Sequence, residues 1–213
     1  MNNYRDEFGI NEKKNWIFDL DGTLTVSVHD FDYVRSELGL DDGVPILEAL
    51  KSMPSEKAAP LWQRLNEIEF HYASKARVME GSVALLEKLA ERGVRLGIFT
   101  RNMLPVVKET LRACKLEHLF PINSVVDRDT CTPKPSPDGI YYLLELWQGR
   151  VSDTVMVGDY LYDLQSGRHA GVTTIHVDNI QGDRWPEYTD IYVQNFSEIT
   201  QVLDRGAVSP DQV

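Results

Sequence analysis

The chain has 213 residues, 42% of them hydrophobic and 26% charged, which suits one substantial folded core with room for a small insertion rather than a disordered or fibrous polymer. Its 22 lysines and arginines against 33 acidic residues give a formal charge of -11, so no basic stripe is available for a nucleic-acid backbone and nucleic acid is not an expected partner. Cys114 and Cys131 lie in separate segments without CxxC spacing, which argues against a zinc site or a disulfide framework, and no apolar run reaches the roughly 18 residues of a membrane span.

Residues 1–15 are polar and charged with no leader-like apolar stretch, so a cytoplasmic protein is expected. The first apolar run, Trp16-Ile17-Phe18, reads as a buried strand. It leads directly into Asp19-Leu20-Asp21-Gly22-Thr23. In an extended chain residues i and i+2 point the same way, so Asp19 and Asp21 can share one site while Leu20 packs away and Gly22 permits a sharp turn. A plain Asp-Gly turn after a strand accounts for the same five residues.

From about residue 31 to 76 the periodicity is helical (Ile46, Leu47, Leu50, then Leu61, Leu65, Ile68) with no convincing strand. Helices are then predicted over 82–92, stopped by Gly93, over 105–115, and from Ser136-Pro137-Asp138 onward. Between them fall apolar strand candidates: 95–99, Val125-Val126, Val155-Met156-Val157 and 174–177. The alternation predicts an α/β fold, a mostly parallel sheet covered on both faces, with the core over 12–28 and 78–204 and a helical insertion over 29–77. Residues 205–213 read as a frayed terminus.

Polar groups recur where these strands end. Gly158-Asp159, with Asp163 four residues on, forms a second carboxylate pair, and two acidic loops at strand ends invite a hard divalent cation, Mg²⁺ rather than zinc. Thr100 follows the 95–99 strand and Lys134 sits in a Pro-rich loop before a helix. Taken singly, the threonine is an ordinary cap and the lysine a solvated charge.

As an ordered set, Asp19-Leu20-Asp21-Gly22-Thr23, Thr100, Lys134 and Gly158-Asp159 with Asp163 resembles the haloacid-dehalogenase-like hydrolases, in particular the phosphoglycolate phosphatase-like branch with a small α-helical cap. The resemblance implies a Rossmann-like core and places the cap in the 29–77 insertion. It implies that Asp19 attacks phosphorus, that Asp21 protonates the leaving oxygen and then activates water, and that Mg²⁺ is held by Asp19, the Asp21 carbonyl, Asp159 and Asp163. Thr100 and Lys134, with neighbours Arg101 and Asn102, become the candidates for the phosphoryl oxygens. The implied reaction is hydrolysis of a small phosphorylated metabolite, by a monomer or homodimer. A phosphomutase of the β-phosphoglucomutase type uses the same aspartates and stays open, as does a catalytically silent binding module. Many capped relatives carry an Asp-Ser pair shortly after the Gly-Thr motif. Here the sequence runs Thr25-Val26-Ser27-Val28-His29-Asp30, which leaves the cap linker and substrate recognition undetermined.

Overall fold

The computed structural model describes residues 8–26, 30–178 and 182–206. The expected linker residues Ser27, Val28 and His29, and with them the 28/29 boundary, lie outside the described residues, as do residues 1–7 and 207–213; Arg205 and Gly206, expected to be frayed, end a helix instead.

Six parallel strands build one sheet: β1 (Asn15–Phe18), β2 (Arg95–Phe99), β3 (Val125–Val126), β4 (Thr154–Gly158), β5 (Thr173–Val177) and β6 (Ile191–Val193), in the order β3-β2-β1-β4-β5-β6. Strand β1 is central, with Phe18 in register with Ile98 on one side and Val157 on the other. The strands are continuous apolar runs because both faces are covered. Trp16, Phe18, Ile98, Val155 and Val157 face one hydrophobic cluster, completed by α4 (Ser82–Glu91), α5 (Leu104–Cys114) and α8 (Phe196–Gly206). Ile17, Phe99 and Met156, the alternate positions, face a second cluster with α6 (Asp138–Trp147) and α7 (Leu161–Ala170). The alternation places one face on each helical layer, as the period of two in a strand requires. This is the α/β Rossmann-like core expected from the sequence.

Between β1 and α4 are inserted three cap helices, α1 (Phe31–Glu37), α2 (Ile46–Ser52) and α3 (Ser55–Ala73). They enclose an apolar cluster of their own: Val34, Leu38, Leu47, Leu50, Leu65 and Ile68. Asp30 starts α1 by accepting the Tyr33 N–H at 2.9 Å, an ordinary N-cap. The chain leaves and re-enters the core side by side: Thr25 bridges Val78 in antiparallel fashion, the Val26 N–H donates to Arg77 C=O at 2.9 Å and the Met79 N–H to Leu24 C=O at 2.8 Å.

One strand was not anticipated. β6, Ile191-Tyr192-Val193, has strand-forming residues but is only three long, too short for its period to be told from a loop. Among the described residues, no helix is long and apolar enough to cross a membrane.

Candidate active site

Asp19 is the first residue beyond β1, and its N–H donates to Val157 C=O at 2.9 Å, fixing it at the C-terminal rim of the sheet's middle. Gly22 turns the chain at φ +91°, and a Cβ there would stand 2.4 Å from Asp159 Oδ2. Both the backbone and the approach of a carboxylate therefore require glycine. The Thr23 hydroxyl donates to Asp159 Oδ1 at 2.7 Å, tying the first acidic loop to the second.

Asp163 lies in the first turn of α7. Its Oδ2 accepts the Tyr160 N–H at 3.0 Å, as a capping acid does, while its Oδ1 accepts from Lys134 Nζ at 2.6 Å. Gly158 makes room for it, since a Cβ there would fall 2.2 Å from Asp163 Cβ. Lys134, brought in by the loop before α6, also donates to Asp19 Oδ1 at 2.5 Å. Asp19, Asp159 and Asp163 each offer a carboxylate oxygen, all within 4.8 Å of one another.

Burial pushes the Asp19 carboxyl well above its ordinary range, an effect that Lys134 only partly offsets. Asp159 is pushed up to about 7, first by burial and then by the charge of Asp163. Burial alone would lower the Lys134 ammonium, but Asp163 and Asp19 outweigh it and hold the group charged. Two buried carboxylates and the half-buried Asp159 against one ammonium leave the cluster short of positive charge, and its donors are all hard oxygens. That donor set fits a Mg²⁺-like ion and offers zinc none of its preferred nitrogen or sulfur ligands.

Thr100 ends β2, with its N–H on Val126 C=O at 3.0 Å and its hydroxyl oxygen accepting the Asn102 N–H at 3.1 Å. Asn102 Nδ2 in turn donates to Asp21 Oδ2 at 2.5 Å. Arg101 is engaged elsewhere: it donates to Lys134 C=O at 2.7 Å, pairs with Glu48 of α2 at 2.6 Å and lies over the Tyr162 ring at 4.9 Å. Of the residues singled out in the sequence, Asp19, Lys134, Asp159 and Asp163 form the cluster itself, Asp21 reaches Thr100 through Asn102, and Arg101 reaches toward the cap.

Three contributors have no signal in the local sequence. His176 Nε2 lies 3.2 Å from the Asp159 carbonyl oxygen, so that nitrogen carries the proton, and burial lowers the ring's pKa and favours its neutral form. Arg128, from the turn after β3, forms a buried ion pair with Glu69 of α3 at 3.0 Å and donates to Asn66 Oδ1 at 2.7 Å, beneath the Trp62 ring. Burial pushes Glu69 up to about 7 despite Arg128, with a contribution from the charge of Asp21. Among the basic cap residues, Arg35 pairs with Asp32 at 2.5 Å and Lys75 contacts His71 at 3.0 Å.

Residues 16–177 match the family described as haloacid dehalogenase-like hydrolase. The phosphoglycolate phosphatase of Rhodospirillum rubrum is 33% identical over 187 residues, spanning 75% of this chain and 77% of that one. The pyrophosphatase PpaX of Anoxybacillus flavithermus is 27% identical over 177 residues, 76% of this chain and 81% of its own. The crystal structure of a hydrolase from Pseudomonas syringae shares the fold with a TM-score of 0.74, at 21% identity and covering 91% and 98% of the two chains.

Proposed function

The chain belongs to the haloacid dehalogenase-like hydrolases, and from that premise we propose that it is a magnesium-dependent phosphatase acting on a small phosphomonoester through a phospho-aspartyl intermediate. The observation that carries this reading is the meeting of Asp19 with Lys134, Asp159 and Asp163 beside an Asp21 held by Asn102. Phosphoryl transfer demands little covalent chemistry of a protein; it demands an in-line nucleophile, positive charge around the equatorial oxygens and a proton for the leaving group.

Asp19 supplies the nucleophilic oxygen. As its bond to phosphorus forms, the ester P–O bond breaks, and Asp21 delivers a proton to the departing alkoxide. The Asn102 amide already donates to Asp21 Oδ2, so that oxygen acts as acceptor and the transferable proton belongs on Oδ1. In the second half, Asp21 takes a proton from the water that attacks the acyl phosphate, releasing inorganic phosphate and restoring Asp19. Lys134 and Thr100 stand at the rim where phosphoryl oxygens would lie. A cation held by Asp19, Asp159, Asp163 and the Asp21 carbonyl would neutralise charge on the transferring group.

The two relatives are named for different leaving groups, glycolate in one and phosphate in the other, which supports assigning the core to the phosphorus chemistry and the cap to the leaving group. The test is phosphate release from 2-phosphoglycolate, glycerol 3-phosphate, glucose 6-phosphate, a nucleoside monophosphate and pyrophosphate, with Mg²⁺ or EDTA, for wild type and Asp19→Asn. Release that needs Mg²⁺ and falls by about 10³-fold or more in the variant is expected. A folded, Mg²⁺-loaded wild type that releases nothing from any of them overturns the reading.

A further inference from the structure

We infer that Arg128 is a positioning residue that couples seating of the cap to placement of the acid-base Asp21. The inference rests on the phosphatase reading and concerns how that site is switched on. Arg128 joins three parts of the molecule. Its main-chain N–H donates to Asn102 C=O at 3.0 Å, and the Asn102 side chain holds Asp21 Oδ2. Its guanidinium grips α3 of the cap through both oxygens of Glu69 and through Asn66.

The turn that carries Arg128 is stiff. Asp127 Oδ1 accepts the Thr130 N–H at 2.9 Å, bracing the turn internally, while Asp127 Oδ2 accepts the Leu104 N–H at 2.9 Å, which with the Arg128 N–H on Asn102 C=O ties the turn to the Asn102–Leu104 loop at two points. A turn so fixed transmits displacement instead of absorbing it. When α3 is seated, Arg128 is anchored, the loop is drawn up and Asn102 meets Asp21. When α3 moves away, the guanidinium loses its buried partners and the Asn102 anchor loosens with it.

Stability alone is weak ground for keeping such a pair. A buried ion pair repays its desolvation poorly, and an apolar replacement of similar volume is often as stable or more so. A contact that is charged, enclosed and shared between two bodies is suited to reporting whether they are together.

General acid catalysis matters in proportion to the basicity of the leaving group, and this gives a readout that a merely structural role would not move. An alkoxide needs the proton of Asp21, whereas p-nitrophenolate departs without it. Glu69→Gln and Arg128→Gln, singly and together, are to be compared with wild type on the fastest alkyl ester of the panel above and on p-nitrophenyl phosphate. The expected result is a fall in kcat/KM, which ends at formation of the phospho-aspartate and so excludes the water step both esters share, of about 10- to 100-fold on the alkyl ester, as a misplacement near 1 Å produces, with a much smaller fall on the aryl ester. The double variant should be no worse than the poorer single one, because both lose the same contact. Equal losses on the two esters, or single losses that multiply in the double variant, overturn the inference while leaving the phosphatase reading intact. A wild type inactive on every ester overturns both.

Discussion

Asp19, Asp159 and Asp163 come together through close approaches that only glycine allows. At Gly22 a methyl group would have to occupy the position of the Asp159 carboxylate, on a backbone already at φ +91°. Gly22→Ala should therefore push Asp159 out of the cluster and weaken Mg²⁺ activation by about 10- to 100-fold, the scale seen when a metal ligand loses its support. A Mg²⁺ titration of activity at saturating ester checks this, and an unchanged activation constant would refute it. At this scale the candidate site was largely legible. Asp19, Asp21, Thr100, Lys134, Asp159 and Asp163 each stand beside the strand end or helix start that positions them, so their places follow from neighbours in the chain. Arg101 with Glu48 and Arg128 with Glu69 were not legible, because the partners lie 53 and 59 residues apart and a charged residue on a helix ordinarily reads as a solvated face.

The elements divide into two apolar interiors, one on each face of the sheet, and a separate one inside the cap. A helical insertion with its own core is able to loosen as a unit. Leu65→Ala, which empties the middle of that cap cluster, should cost about 2–5 kcal/mol locally. Native-state hydrogen exchange is the measurement. Protection should fall across α1, α2 and α3 while β1, β2 and β4 keep theirs, and a uniform loss would show the cap to be no separate unit. Strands β1, β2, β4 and β5 were evident as buried apolar runs, and α4 was evident from its periodicity and its glycine stop. The edge strand β6 was not, since three residues, Ile191-Tyr192-Val193, are too few to establish a period.

For the whole molecule, the acidic balance and the buried carboxyls together set a pH dependence. Asp159 and Glu69 each titrate near 7 in the folded protein, against ordinary values of 3.8 and 4.5, and Asp19 is raised as well. A carboxyl whose folded pKa exceeds its unfolded one binds its proton more tightly in the native state, so native stability is lost as pH rises through the interval between them. Metal-free protein should therefore melt several degrees lower at pH 8 than at pH 5. Saturating Mg²⁺ should shrink that slope by removing the contribution of the acidic cluster and leaving that of Glu69. Melting curves in EDTA and in Mg²⁺ across this range test the sign, and a metal-free protein that stabilises steadily from pH 5 to 8 would contradict it. The paired strands at Thr25 and Val78 carry a different kind of consequence. The whole insertion hangs from the rim by two chain segments about 5 Å apart, the spacing of neighbouring strands. The pairing of Thr25 with Val78 constrains only where the ends of the intervening segment meet, not its length. On the proposed reading, replacing that one segment changes which leaving group is accepted and leaves Asp19 and its partners in place.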